Sequence, residues 1–179
     1  MSMTEGGVEA QAYPPGKGWV CSRAEFMRVG RLRGSLEQTN FQGNTALMIA
    51  ARQGHKGIVC QLLKANSNPN KVADDGYTAL LEASERGHEA VVCALLSAGS
   101  DPNTACAHDG VSALILAAQN GHDGIVRALL EAGSDPNEAE EDGWTALMYA
   151  ALNGHDQCVR ALIEAQANLK AVQRRRTPP

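Results

Sequence analysis

The sequence predicts an all-α fold, a solenoid of about four helix-turn-helix repeats with hairpin fingers, and three observations carry that reading. One phrase returns at intervals of 33, 34 and 33 residues, starting at Thr45, Thr78, Ser112 and Thr145. A fixed period of that length marks units that bury their apolar faces against one another. Each copy holds two short stretches whose apolar residues recur at helical rather than strand spacing. Aromatic residues make up only 4% of the chain against 44% apolar content. Such a core must be filled by Leu, Val, Ile and Ala, which suits thin layers of closely packed short helices.

Taken along the chain, residues 1–18 (MSMTEGGVEAQAYPPGKG) place acidic residues and prolines where a signal peptide needs a basic start and an apolar run, and they read as a disordered tail. Over residues 19–39, Ser22 and Glu25 have the spacing of a capping box, and Phe26, Val29 and Leu32 fall on one face. That predicts an N-terminal capping helix or a partial repeat. The repeat domain runs from 40 to 170, with units at about 40–72, 73–106, 107–139 and 140–170. In each unit a glycine (Gly43, Gly76, Gly110, Gly143) stands two residues before the Thr or Ser, whose hydroxyl caps the first helix. The first helices read TALMIAARQGH, TALLEASERGH, SALILAAQNGH and TALMYAALNGH, and Gly54, Gly87, Gly121 and Gly154 break them.

The second helices, within GIVCQLLKAN, AVVCALLSAG, GIVRALLEAG and QCVRALIEAQ, each carry one apolar stripe. Gly99 and Gly133 supply left-handed C-caps, and Asp101-Pro102-Asn103 and Asp135-Pro136-Asn137 turn the chain into a finger. One extra residue within Thr104–His108 lengthens a single finger. In the fourth unit Gln166, Asn168 and Lys170 replace the Gly, Asp and Asn of earlier copies, and residues 171–179 form a basic tail containing Arg174-Arg175-Arg176-Thr177-Pro178. That tail reads as a basic patch or a basophilic kinase site. Thr177-Pro178 also looks like the opening of a further repeat, so weak self-association through the fourth repeat, or a chain that is a fragment, stands beside a monomer as an expectation.

This four-fold pattern resembles the ankyrin repeat family over about residues 40–170. The resemblance implies an ankyrin repeat solenoid: an L-shaped stack whose fingers and first helices line a concave face that grips other proteins. It departs from the family where Pro-Leu-His is usual after the threonine, because Ala46-Leu47-Met48 stands there and the other copies carry Ala79 and Leu81, Ala113 and Ile115, Ala146 and Met148. The proline and histidine of that phrase are lost, and the hydrogen-bond network they support is not expected here.

Chemistry is harder to find than recognition. Residues 40–165 hold 16 acidic and 7 basic residues, which argues against a phosphate-binding face and so against nucleic acid. No run approaches the roughly 18 apolar residues of a membrane helix. Five cysteines without a CxxC pair suggest neither a disulfide framework nor a zinc site, and a reducing, cytoplasmic or nuclear setting follows. His55, His88, His122 and His155 recur once per repeat, too far apart to share one ion, and read as structural. Cys60 and Cys93 hold equivalent positions in adjacent repeats and read as small packing side chains. Gly16-Lys17-Gly18 lacks the rest of a phosphate loop. The reading is a protein-binding module or adaptor, not an enzyme, with no cofactor and no metal.

Within the repeats the aromatic residues are Phe41, Tyr77, Trp144 and Tyr149, none on a second-helix stripe. The resemblance implies that Phe41, Tyr77 and Trp144 lie at finger bases and that Tyr149 points from a first helix into the groove. Trp and Tyr dominate binding hot spots, so these are the candidate anchors. Around them Asp74, Asp75, Glu82, Glu85, Asp109, Glu140, Glu141 and Asp142 are expected to form an acidic rim suited to a basic partner segment. Arg52, Arg86 and Leu152, on first helices, and His108 and Val111, in the lengthened finger, complete the candidate partner-binding set.

Overall fold

The computed structural model describes residues 36–165. The expected tail over 1–18, nearly all of the capping segment over 19–39, the altered end of the fourth repeat and the basic tail therefore lie outside the described residues. Over residues 46–164 of the described part, eight helices alternate between short and longer: α1 Ala46–Arg52, α2 Lys56–Lys64, α3 Ala79–Glu85, α4 Glu89–Ser97, α5 Ala113–Gln119, α6 Asp123–Glu131, α7 Ala146–Leu152 and α8 Asp156–Glu164. Helices of seven or nine residues are too short to stand alone in water, so tertiary packing must hold them. Inner helices α1, α3, α5 and α7 stack in one layer, outer helices α2, α4, α6 and α8 in a second, and each inner helix also packs on its own outer partner. The layers meet over Leu47, Leu80, Leu81, Leu95, Leu114, Ile115, Ile125, Leu129 and Leu162, all less than 2% exposed. Each such side chain contributes about 1.5–3 kcal/mol on burial. No helix of the described residues is long and apolar enough to cross a membrane.

Start and stop signals account for the short inner helices. The hydroxyls of Thr45, Thr78 and Thr145 accept from the backbone N–H of Met48, Leu81 and Met148 at 3.3, 3.3 and 3.4 Å. Ser112 departs from the expectation, because its side chain makes no such bond to its own helix. Met48, which stands where the Pro-Leu-His phrase has its histidine, closes a capping box: its Sδ accepts from the Thr45 N–H at 3.4 Å. Its counterparts Leu81 and Ile115, buried like Met48, have no acceptor atom, so apolar packing replaces the lost polar contacts there.

The glycine that ends each inner helix and the histidine that follows in the next repeat work as a pair. Nε2 of His88, His122 and His155 lies 3.0, 3.2 and 3.1 Å from the carbonyl oxygens of Arg52, Glu85 and Gln119, one repeat earlier in each case. Since a carbonyl only accepts, the ring proton sits on Nε2. The same three rings lie over Gly54, Gly87 and Gly121, where a Cβ would come within 2.7 Å of the imidazole. Glycine is required there twice, for its positive φ and for the room it leaves. Asparagines make a second seam: Asn70 donates to the Gly99 carbonyl and accepts from the Asp101 N–H, and Asn103 does the same with Gly133 and Asp135.

Each finger is a hairpin with an equivalent backbone bond across its base, Asn40 N–H to Asn44, Ala73 to Tyr77, Cys106 to Val111 and Glu140 to Trp144, at 2.9–3.1 Å. The third spans one residue more than the others, which places the extra residue of the 34-residue interval inside that turn. Fingers also touch sideways, with the Asp74 N–H donating to the Gln42 carbonyl at 3.2 Å and the Glu141 N–H to the Asp109 carbonyl at 3.0 Å.

Candidate functional site

Two kinds of position remain once the scaffold residues are accounted for: the finger turns and the face that the inner helices turn away from the outer ones. Tyr77, Val111 and Trp144 occupy one column, each immediately before the residue that caps an inner helix. All three are half-buried, and Tyr77 and Val111 pack against the core. Phe41 does not join them, and the expectation that it sits at a finger base is corrected. It lies in the turn that the Gly43 N–H closes on Asn40 and is 91% exposed, while the buried Asn44 holds the position equivalent to Tyr77 and Trp144. Counting from the glycine separates the two positions, since Phe41 precedes Gly43 by two residues and Trp144 follows Gly143 directly.

The structure brings Trp144 and Tyr149 together. Their ring centroids are 5.3 Å apart with planes tilted by 37°, within the range of favourable aromatic pairs. The Tyr149 hydroxyl donates to Glu140 Oε1 at 2.7 Å, tying the finger to the helix it precedes. Burial, followed by that bond and the charges of Glu140, Asp142 and Asp109, pushes the Tyr149 phenol up to about 12. Tyr77 is likewise held at about 12, first by burial and then by Glu85, Cys106, Asp109 and Glu82. Asp109, in the third finger, contributes to the rise of both phenols. Leu152, 66% exposed, extends the apolar surface along α7. The role of Glu140 as the partner of Tyr149 was not foreseen, because nothing in the linear order ties a finger carboxylate to a ring nine residues on.

Carboxylates in the fingers have local work as well. Asp75 Oδ1 accepts from the Tyr77 N–H at 3.1 Å and Asp109 Oδ1 from the Val111 N–H at 3.1 Å, fixing the turns that present those side chains. Both carboxylates stay exposed, as do Asp74, Glu141 and Asp142. His108 is exposed in the longer turn, with Nε2 3.4 Å from the Asp74 carbonyl. Cys106 is buried beneath it, its thiol donating to the Asp75 carbonyl at 3.6 Å.

Glu82 is the second correction. Expected on the acidic rim, it is 3% exposed and paired with the guanidinium of Arg52 from the preceding repeat. A carboxylate in that position without a cation would carry a heavy desolvation cost, and the pair offsets part of it. The bond to Glu82 outweighs burial and holds the Arg52 guanidinium above its ordinary range, so it stays charged. Arg52 is thus half-buried and neutralised, leaving its edge to the groove rather than a free charge. Glu85 and Arg86, neighbours on the exposed end of α3, form a loose ion pair at 3.9 Å.

Among the described residues no group of three or more His, Cys, Asp or Glu side chains is placed to hold a metal ion. Residues 26–106 and 98–173 match the family model described as ankyrin repeats (three copies). No curated protein matches the chain significantly. The match covers the stack of helix pairs and fingers described above, and the chain belongs to the ankyrin repeat family, whose repeats generally mediate protein–protein interaction.

Proposed function

We propose that the chain is a recognition module that holds a basic segment of another protein in the groove between its fingers and inner helices, without catalysing a reaction. The observation that carries this reading is the Trp144–Tyr149 pair, half-buried and placed where Asp109, Glu140 and Asp142 bear on it. A ring face flanked by carboxylates suits an Arg or Lys side chain, because the ring quadrupole attracts the cation and the carboxylates steer it in. Tyr77, Val111, Glu85 and Asp75 extend the same combination of apolar surface and negative charge one and two repeats back. A function inside the cell, in the cytoplasm or the nucleus, is consistent with four free cysteines among the described residues.

The test is to recover a bound protein from a cell lysate on the wild-type chain, map its contacting segment, and measure that segment against Trp144→Ala. An anchor of this kind contributes about 2 kcal/mol or more, so the affinity falls about 30-fold while the helical signal is unchanged. Equal affinity of the two chains moves the site away from this groove.

A further inference from the structure

The groove faces a large imbalance of charge within its own chain. Residues 36–165 carry 17 acidic and 7 basic side chains, whereas residues 166–179 carry Lys170, Arg174, Arg175 and Arg176 and no acidic residue. The three consecutive arginines are the longest cationic run in the sequence. Resting on the reading of the groove given above, we infer that Arg174–Arg176 docks on the acidic face at Trp144 and Asp142, so that the chain carries a tethered competitor for its own partner site.

Geometry and register both support this occupant. Only Asn153-Gly154-His155 separate α7 from α8, and the two helices pack together, so they run antiparallel. The end of α8 at Glu164 therefore lies beside the start of α7, where Trp144 stands. Packed helix axes are about 8–10 Å apart. The residues from Ala165 to Arg174 reach up to about 30 Å when extended, ample to return to the finger. By the 33-residue spacing, Arg174 and Arg175 fall one repeat after Glu141 and Asp142. Neighbouring fingers in the stack already bond sideways, Asp74 to Gln42 and Glu141 to Asp109. A cationic segment at the next place along that row meets the carboxylates of the fourth finger from the side on which no described repeat follows.

The chemistry is an ion-pair and cation–π contact of an exposed groove, so it is weak per contact and sensitive to salt. Tethering compensates: a link of this length sets an effective concentration of about the millimolar range, enough to occupy a site of modest affinity. A partner must then displace the tail, and any modification that adds negative charge near it, such as phosphorylation of Thr177, would release the groove.

The experiment uses the full chain in a Trp19→Phe background, leaving Trp144 as the fluorescent reporter. Acrylamide quenching of Trp144 is compared in that chain and in one also carrying Arg174→Gln, Arg175→Gln and Arg176→Gln, with and without 1 M NaCl, which shortens the screening length to about 3 Å. The expected result is greater quenching in the triple variant, matched in the parent chain by added salt and independent of protein concentration. Equal quenching in the two chains overturns the tail contact, and shielding that grows with concentration overturns it in favour of a tail reaching a second copy. Hexa-arginine peptide, titrated by calorimetry, separates this from the reading of the groove. If both hold, the peptide binds the triple variant about ten-fold tighter than the parent chain. If the tail contact alone fails, the peptide binds both chains equally and loses affinity with Trp144→Ala. A peptide that binds neither chain sinks the groove as a site for an external basic segment, whatever the quenching shows.

Discussion

The first and second repeats meet differently from the third and fourth, although one template builds both junctions. The fourth residue of the inner helix is Ile49 in α1, Glu82 in α3, Leu116 in α5 and Tyr149 in α7. At the first junction this position holds a buried carboxylate paired to Arg52. At the last it holds a phenol set against Trp144 and tied to Glu140. The same backbone thus supports an internal ion pair and an aromatic ledge, because the caps, glycines, histidines and outer-helix stripes that set it recur in both. Sequence differences at this column change what the groove offers without changing how the stack is held.

Cutting the ion pair strains that comparison most. Arg52→Met leaves Glu82 buried without its cation and is expected to lower stability by about 2–3 kcal/mol, somewhat below the range for fully buried pairs because Arg52 is partly exposed. Arg52→Met combined with Glu82→Leu, which restores the apolar character of Ile49 and Leu116, should return to within about 1 kcal/mol of the parent chain. Urea unfolding of both variants decides it. If the single variant costs no more than the double, the pair is a surface contact and the two junctions are held alike.

Comparable precision attaches to the glycines. Gly87 and Gly99 both have positive φ, +79° and +88°, yet only Gly87 has an imidazole, that of His122, where a Cβ would go. Gly87→Ala is expected to cost about 2–3 kcal/mol, from left-handed strain plus displacement of the His122 bond to Glu85, and Gly99→Ala only about 1. Asn66 supports the milder figure, since it adopts φ 67° at the position equivalent to Gly99. Equal costs would mean that the histidine rings ride passively over the inner-helix ends.

These particulars also mark where reading from sequence stops. The period, the capping threonines, the helix-ending glycines and the lengthened finger were all legible, because each is a local signal repeated in register. Glu82 was not, because its burial depends on Arg52, thirty residues away, and an acidic residue on a first helix otherwise reads as solvated. Ser112 has the right chemistry and the right place, yet a cap bond depends on a side-chain rotamer that composition does not reveal. Phe41 departs from what the resemblance implies for a simpler reason: it stands two residues before Gly43, in the turn, whereas Tyr77 and Trp144 directly follow their glycines.

A smaller effect sharpens the last junction. Tyr149→Phe keeps the ring against Trp144 and removes the hydroxyl that donates to Glu140. The expected loss is about 1 kcal/mol of stability, the usual net value of one hydrogen bond, and Glu140 is freed toward the groove. Binding of a basic segment should be kept or strengthened by the released charge, whereas Trp144→Ala loses it. A Tyr149→Phe chain that binds as poorly as Trp144→Ala would show that the hydroxyl, and not the ring, is what the partner meets.

The smallest expected effect compares the outer surface with the interior through the cysteines. Cys93 is exposed and Cys60 half-buried on the outer helices, whereas Cys106 and Cys158 are buried. Burial pushes the thiols of Cys106 and Cys158 up, chiefly by desolvation, so less thiolate forms on each at neutral pH. Of these four, a maleimide or iodoacetamide time course read by peptide mass mapping should label Cys93 first and Cys60 next, leaving Cys106 and Cys158 until the stack opens. The interior pair should differ as well. Cys106 sits in a finger held by a few backbone bonds, and Cys158 faces the core on α8, so urea too dilute to unfold the chain should expose Cys106 before Cys158. Simultaneous labelling of the two would mean that the third finger and the last helix open as one unit, and that the groove is as rigid as the core beneath it.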